Sequence, residues 1–200
     1  MQSIRTLLCS AIVLIGSASS VPAAQVYHLN FGPEAVGATG TGIGTVAIDT
    51  TLNQMLINIE FSGLSGNTTV SHIHATTANP FTGTAGVATG VPTFPGFPAG
   101  VKSGTYVRLL DMSLASSYNP TFITNNGGTP LSAFAALNSA ASSSRAYLNI
   151  HTAAFPGGEI RAFLNPVPEP SSVALTGIGL AILAYGRHRY RKTAAVSTTA

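Results

Sequence analysis

Between residues 25 and 164 the apolar side chains recur at every second position in short bursts, and glycine separates one burst from the next. The clearest burst is Met55-Leu56-Ile57-Asn58-Ile59-Glu60-Phe61, in which Met55, Ile57, Ile59 and Phe61 fall on one side of an extended chain. A helix would scatter them around its axis. The same alternation runs through 26–31 and 45–49, and the link 50–54 is short enough for a hairpin. Further strands are expected at 69–74, between 102 and 112, and at 146–152 and 159–164. Six to eight strands in one layer would leave a face exposed, so the chain is expected to be all-β: a sandwich or a partly closed barrel.

One segment breaks this rhythm. Thr129-Pro130-Leu131-Ser132-Ala133-Phe134-Ala135-Ala136-Leu137 offers a capping Thr, Pro at the first helical position and apolar residues at helical spacing, so one short helix is predicted there. Residues 75–100, rich in Gly, Pro and Thr, read as a long surface connection. The run Gly37-Ala38-Thr39-Gly40-Thr41-Gly42-Ile43-Gly44 is glycine-rich, but a strand and not a helix follows it and no Lys-Ser/Thr pair closes it. It is read as a turn, not a phosphate loop.

Both ends of the chain read as addresses. Residues 1–24 place Arg5 before an apolar run from Leu7 to Ile15 and then small residues, the layout of a secretory signal peptide cut by signal peptidase near Ala23 or Ala24. At the other end a Pro-rich linker, 165–172, carries Val167-Pro168-Glu169-Pro170. It leads to an apolar stretch and the basic cluster Arg187-His188-Arg189-Tyr190-Arg191-Lys192, which the positive-inside rule keeps cytoplasmic. Residues 173–192 are therefore expected to form a hydrophobic anchor helix with its basic flank, and 193–200 a disordered tail. This tripartite arrangement resembles the PEP-CTERM sorting signal of Gram-negative bacteria. The resemblance implies an exosortase-type sorting enzyme as partner, a transient stay in the inner membrane, and delivery to the cell surface or extracellular matrix.

The formal net charge of +3 belongs to the ends. Between 25 and 164 there are four basic residues, Lys102, Arg108, Arg145 and Arg161, against five acids, Glu34, Asp49, Glu60, Asp111 and Glu159. A near-neutral domain with no basic stripe carries no electrostatic footprint for nucleic acid. Cys9, the one cysteine, lies in the signal segment, so the domain has neither a disulfide nor a thiolate metal site.

Within 25–164 the residues also reach a family. Ala38-Thr39-Gly40-Thr41-Gly42, Phe61-Ser62-Gly63-Leu64, Ser71-His72-Ile73-His74, and above all Asn149-Ile150-His151-Thr152 followed by Pro156-Gly157-Gly158-Glu159-Ile160-Arg161 resemble the CHRD domain, named for repeats in the animal protein chordin. The resemblance departs at Ala162, where the family usually has glycine. It implies a single Greek-key-like β-sandwich, immunoglobulin-like or dismutase-like, and, from chordin, extracellular ligand binding. It assigns bacterial members no activity.

His72 and His74 alternate in a strand and so share a face, and His151 ends another strand in a similar local sequence. Three neutral imidazoles, with Glu159 as a further ligand or as an acceptor behind one, would suit zinc or copper. The alternative is a hydrogen-bonded network that fixes strand ends, with Glu159 and Arg161 forming a rim ion pair. Copper-zinc dismutases also use an H-x-H pair, but their further ligands and disulfide have no counterpart here. His28 is the remaining histidine of the domain and is remote in sequence. No serine sits in a G-x-S-x-G elbow, and the acids are scattered. The expectation is a non-catalytic binding or structural protein, with a polysaccharide or matrix protein as partner. The alternative is a zinc- or copper-binding protein with redox capacity through a three-histidine site.

Overall fold

The computed structural model describes residues 24–167, 179–185 and 187. Eight strands form one curled, fully antiparallel sheet: β1 (Gln25–Pro33), β2 (Thr41–Asp49), β3 (Gln54–Ser62), β4 (Thr68–Ala75), β5 (Gly104–Asp111), β6 (Ala146–Thr152), β7 (Ile160–Phe163) and β8 (Asn165–Pro166). Their order is β4-β6-β7-β1-β2-β3-β5, with β8 beside β1. The sheet folds over at β1. Residues 25–31 pair with β2, whereas Gly32 and Pro33 pair with Arg161 and Ile160 of β7. One layer is thus β8, β1, β2, β3 and β5; the other is β4, β6, β7 and the end of β1. The chain crosses between layers at each step from β3 to β6, which is the expected sandwich.

The alternation sets what each layer buries. Tyr27, Leu29 and Phe31 of β1 point inward with Val46 and Ile48 of β2 and Met55, Ile57, Ile59 and Phe61 of β3, opposite Ile73, Leu148, Ile150 and Ile160. Each such aliphatic side chain contributes about 1.5–3 kcal/mol, and the cysteine-free domain rests on their sum. The β2–β3 hairpin forms in the expected register, Asp49 opposite Gln54. The Asp49 carboxylate accepts from Thr51 and Leu52 N–H at 2.8 and 2.9 Å, and Asn53 takes the left-handed conformation, φ 52°.

Three expectations are corrected. Gly42 and Gly44 are not in a turn: they lie within β2 at inward positions, where an added Cβ would run into Phe31 and Ile59 and into the backbone of β3. Residues 75–100 do cross the surface, but Ala88, Phe94 and Phe97 are buried and the segment lies along the free edge of β4, with Ala88 N–H donating to Ile73 O and Phe94 N–H to Ser71 O. The helical region is also larger than one short helix. An Asn119-capped turn of helix, α1 (Pro120–Asn125), precedes α2 (Pro130–Ser142). Helix α2 starts at the predicted Thr129 cap, closed reciprocally with Ser132, and runs past Leu137 on small residues that bury Ala140 and Ala141.

Among the described residues no helix is long and apolar enough to cross a membrane. Residues 179–185 are helical. The rest of the expected anchor, Pro168, Glu169 and Pro170 of the sorting box, and Ala23 lie outside the described residues. Val167 is described, and its N–H donates to Val26 O at 2.9 Å.

Candidate metal centre

Strands β4 and β6 pair with Ser71 opposite Ile150, His72 opposite Asn149, and His74 opposite Tyr147. Ile73, Leu148 and Ile150 face the core, so His72, His74, Tyr147, Asn149 and His151 share the other face. That face points away from the core, yet His72 and His74 are buried. The covering is the 75–100 segment, which bridges to β4 at His74 and Val87.

Backbone carbonyls fix the rings, those of His72 and His74 from this cover and that of His151 from the loop after β6. His72 Nε2 bonds the Pro92 carbonyl at 2.6 Å, His74 Nδ1 the Ala85 carbonyl at 2.9 Å, and His151 Nδ1 the Pro156 carbonyl at 2.8 Å. A carbonyl oxygen has no proton to give, so each of these nitrogens donates. In a neutral imidazole the other nitrogen is then a bare lone pair. Those three nitrogens, His72 Nδ1, His74 Nε2 and His151 Nε2, are buried and have no hydrogen-bond partner. Burial pushes His72 and His74 below the ordinary imidazole range, against the pull of the carbonyls of Pro92 and Ala85. Both rings are thereby kept in the form that binds metal.

The three rings each offer one nitrogen within 4.8 Å of the others. Tetrahedral ligands about 2.1 Å from an ion stand roughly 3.4 Å apart, so an inward movement of about an ångström would complete a three-nitrogen site. Backbone carbonyls behind the rings are the usual outer support of metal-bound histidine. Tyr147 stacks on His74, centroids 4.9 Å apart and planes 6° from parallel, and the Arg161 guanidinium lies 5.3 Å from the Tyr147 ring centre.

Two residues not singled out from the sequence complete the face. Asn149 is 1 % exposed, its Nδ2 donates to Glu34 Oε2 at 3.3 Å, and its Oδ1 has no partner. The Asn149 side chain also faces His74, where it favours the protonated ring. Burial raises the Glu34 carboxyl above its ordinary range, opposed by Asn149, Arg161 and His151. Asn149 lies two residues before His151 in a period-2 strand, a signal that was available; Glu34 is brought here only by the long-range pairing of β1 with β7.

The expected role of Glu159 is corrected. Its carboxylate accepts from Ser65 N–H, from Gly66 N–H at 3.2 Å and from Thr152 Oγ1 at 2.6 Å, and it is not grouped with the histidines. Although burial opposes its ionised form, these hydrogen bonds from Thr152, Ser65 and Gly66 win and hold it below the usual range. Nor does it pair with Arg161, whose Nη1 lies 3.6 Å from Glu34 Oε1. His28 is exposed on β1 and stands apart from the other three.

A family model for the CHRD domain matches residues 18–164. The chain belongs to the CHRD family. The matched span begins inside the expected signal segment and ends at Leu164, just before β8. A second model, the PEP-CTERM protein-sorting motif, matches residues 166–192 and covers Val167 to Lys192 of the tail. This CHRD protein is thus exported and sorted to the cell surface by an exosortase-type system. No curated protein and no solved structure matches it.

Proposed function

We propose that the CHRD domain of this surface-sorted protein binds a divalent zinc or copper ion through His72, His74 and His151, in a binding or structural role and not in turnover. The observation that carries this reading is the company the unpartnered atoms keep. Among the described residues four buried side-chain polar atoms lack a partner, and all four belong to the β4–β6 face: three histidine nitrogens and Asn149 Oδ1. Each is an acceptor. A water molecule brings two protons and leaves at least two of them unmet, whereas a cation answers to all four. Leaving such groups bare would cost about 1–3 kcal/mol apiece.

In this reading signal peptidase releases the chain near Ala23 or Ala24. An exosortase-type enzyme then recognises Val167-Pro168-Glu169-Pro170 during a transient stay in the inner membrane. The 25–164 domain carries its ion at the cell surface or in the extracellular matrix.

The test is metal analysis of the exported protein after exposure to zinc or copper and removal of the excess, beside a His72→Gln, His74→Gln variant. Near-stoichiometric metal is expected in the wild type and its loss in the variant. A wild type without metal, or equal metal in both, would reject the site.

A further inference from the structure

Three imidazoles leave the fourth position of a tetrahedral ion to be filled, and whether protein or water fills it separates a closed structural site from an open catalytic one. We infer that Asn149 Oδ1 is the fourth ligand, so that the ion is held by three nitrogens and one oxygen and is not offered to a substrate. This rests on the metal-binding reading above.

A carboxylate oxygen only accepts, so the bond from Asn149 Nδ2 to Glu34 Oε2 fixes which end of the amide faces Glu34. The carbonyl oxygen is turned the other way, where it is buried and unpartnered together with the three ring nitrogens. The register puts Asn149 opposite His72, two residues from His151, and next to Tyr147, which lies opposite and under His74. It therefore sits on the sheet between all three rings.

Glu34 is in turn held by Arg161 and admitted by Gly158, where a Cβ would collide with its carboxylate. Gly158 has φ +124°, a conformation other residues rarely take. Glu34 is thus a positioning residue that acts through Asn149. A neutral oxygen beside three imidazoles, with no sulfur, favours zinc or divalent copper over cuprous copper.

The experiment uses cobalt(II) as a coloured stand-in for zinc in the exported protein, with azide as a probe for an open position. The wild type is expected to show intense four-coordinate visible bands that millimolar azide leaves unchanged. Asn149→Ala should bind cobalt at least about tenfold more weakly and acquire an azide-dependent spectrum. Glu34→Leu should acquire the same azide response, and Glu34→Gln, which keeps an acceptor for Nδ2, should not.

Azide-dependent bands in the wild type would place a solvent molecule at the fourth position and overturn the inference. So would an Asn149→Ala variant identical to wild type in affinity and spectrum. A wild type that takes up no cobalt, zinc or copper would instead overturn the metal reading beneath it. The azide titration of the wild type decides the matter even if a variant fails to fold.

Discussion

Two buried polar regions border the same strand, β6, and they are finished differently. At Glu159 the chain supplies everything the charge needs: Ser65, Gly66 and Thr152 donate to its two oxygens. On the histidine face the chain spends each ring's proton on a loop carbonyl, and four acceptors are left buried with no donor. The first region is complete without help. The second is left incomplete by the chain alone, and the proposed ion is what would complete it. The contrast separates a buried group whose hydrogen bonds the chain completes from a cluster whose acceptors it leaves unmet, and burial alone does not separate them, since Glu159, His72, His74 and Asn149 are all buried.

The largest effect should come from breaking the finished region. Glu159→Ala strands two backbone N–H groups and the Thr152 hydroxyl, and should cost about 3 kcal/mol or more, read from urea unfolding. A loss under about 1 kcal/mol would mean that the region is no more complete than the other.

A middle-sized effect lies in acid unfolding of the metal-free protein. The folded pKa of Glu159 is depressed, so its contribution is present above the unfolded value of about 4.3 and is lost as pH falls through the folded value. Glu34, facing Asn149, Arg161 and His151, has the opposite sign. Its raised folded pKa means that the stability it contributes is present below the unfolded value and lost as pH rises through the folded one. Glu159→Gln should therefore flatten the loss of stability below about pH 4, and Glu34→Gln should not. The same flattening in both variants would erase the distinction between the two carboxyls.

The smallest effect is expected on the opposite layer, where Val107 and Leu109 of β5 point to solvent at 65 % and 54 % exposure. Val107→Thr and Leu109→Thr should each stay within about 0.5 kcal/mol of wild type. A larger change in the exported protein would reveal a partner on that face.

Much of this was legible along the sequence because it is local. Period-2 alternation places Met55, Ile57, Ile59 and Phe61 in the core, and the same parity puts His72 and His74 on one face. Thr129-Pro130 announces α2. What escaped is made by distant pairing. Glu34 reaches Asn149 only because Gly32 and Pro33 cross to β7, and the carbonyls that orient the rings come from the Gly- and Pro-rich segment for His72 and His74 and from Pro156, between β6 and β7, for His151, so main-chain atoms carry the role and side-chain type says nothing. Glu159 was misassigned for the same reason. A carboxylate near a histidine in sequence is an obvious ligand until Ser65 and Gly66, almost a hundred residues earlier, are seen to claim it.

The short strand β8 has a mechanical consequence. Its pairing with Tyr27 and His28, the Val167 to Val26 bond, and the Gln25 Nε2 bond to Val167 O at 3.0 Å bring the first and last strands of the domain side by side. A pull through the chain beyond Val167, with the domain held at its own start, would separate β8 from β1 one rung at a time, as a zipper opens. The core strands would feel almost none of it. The tether would give way at two residues while the histidine face, several strands along in the other layer, kept its shape.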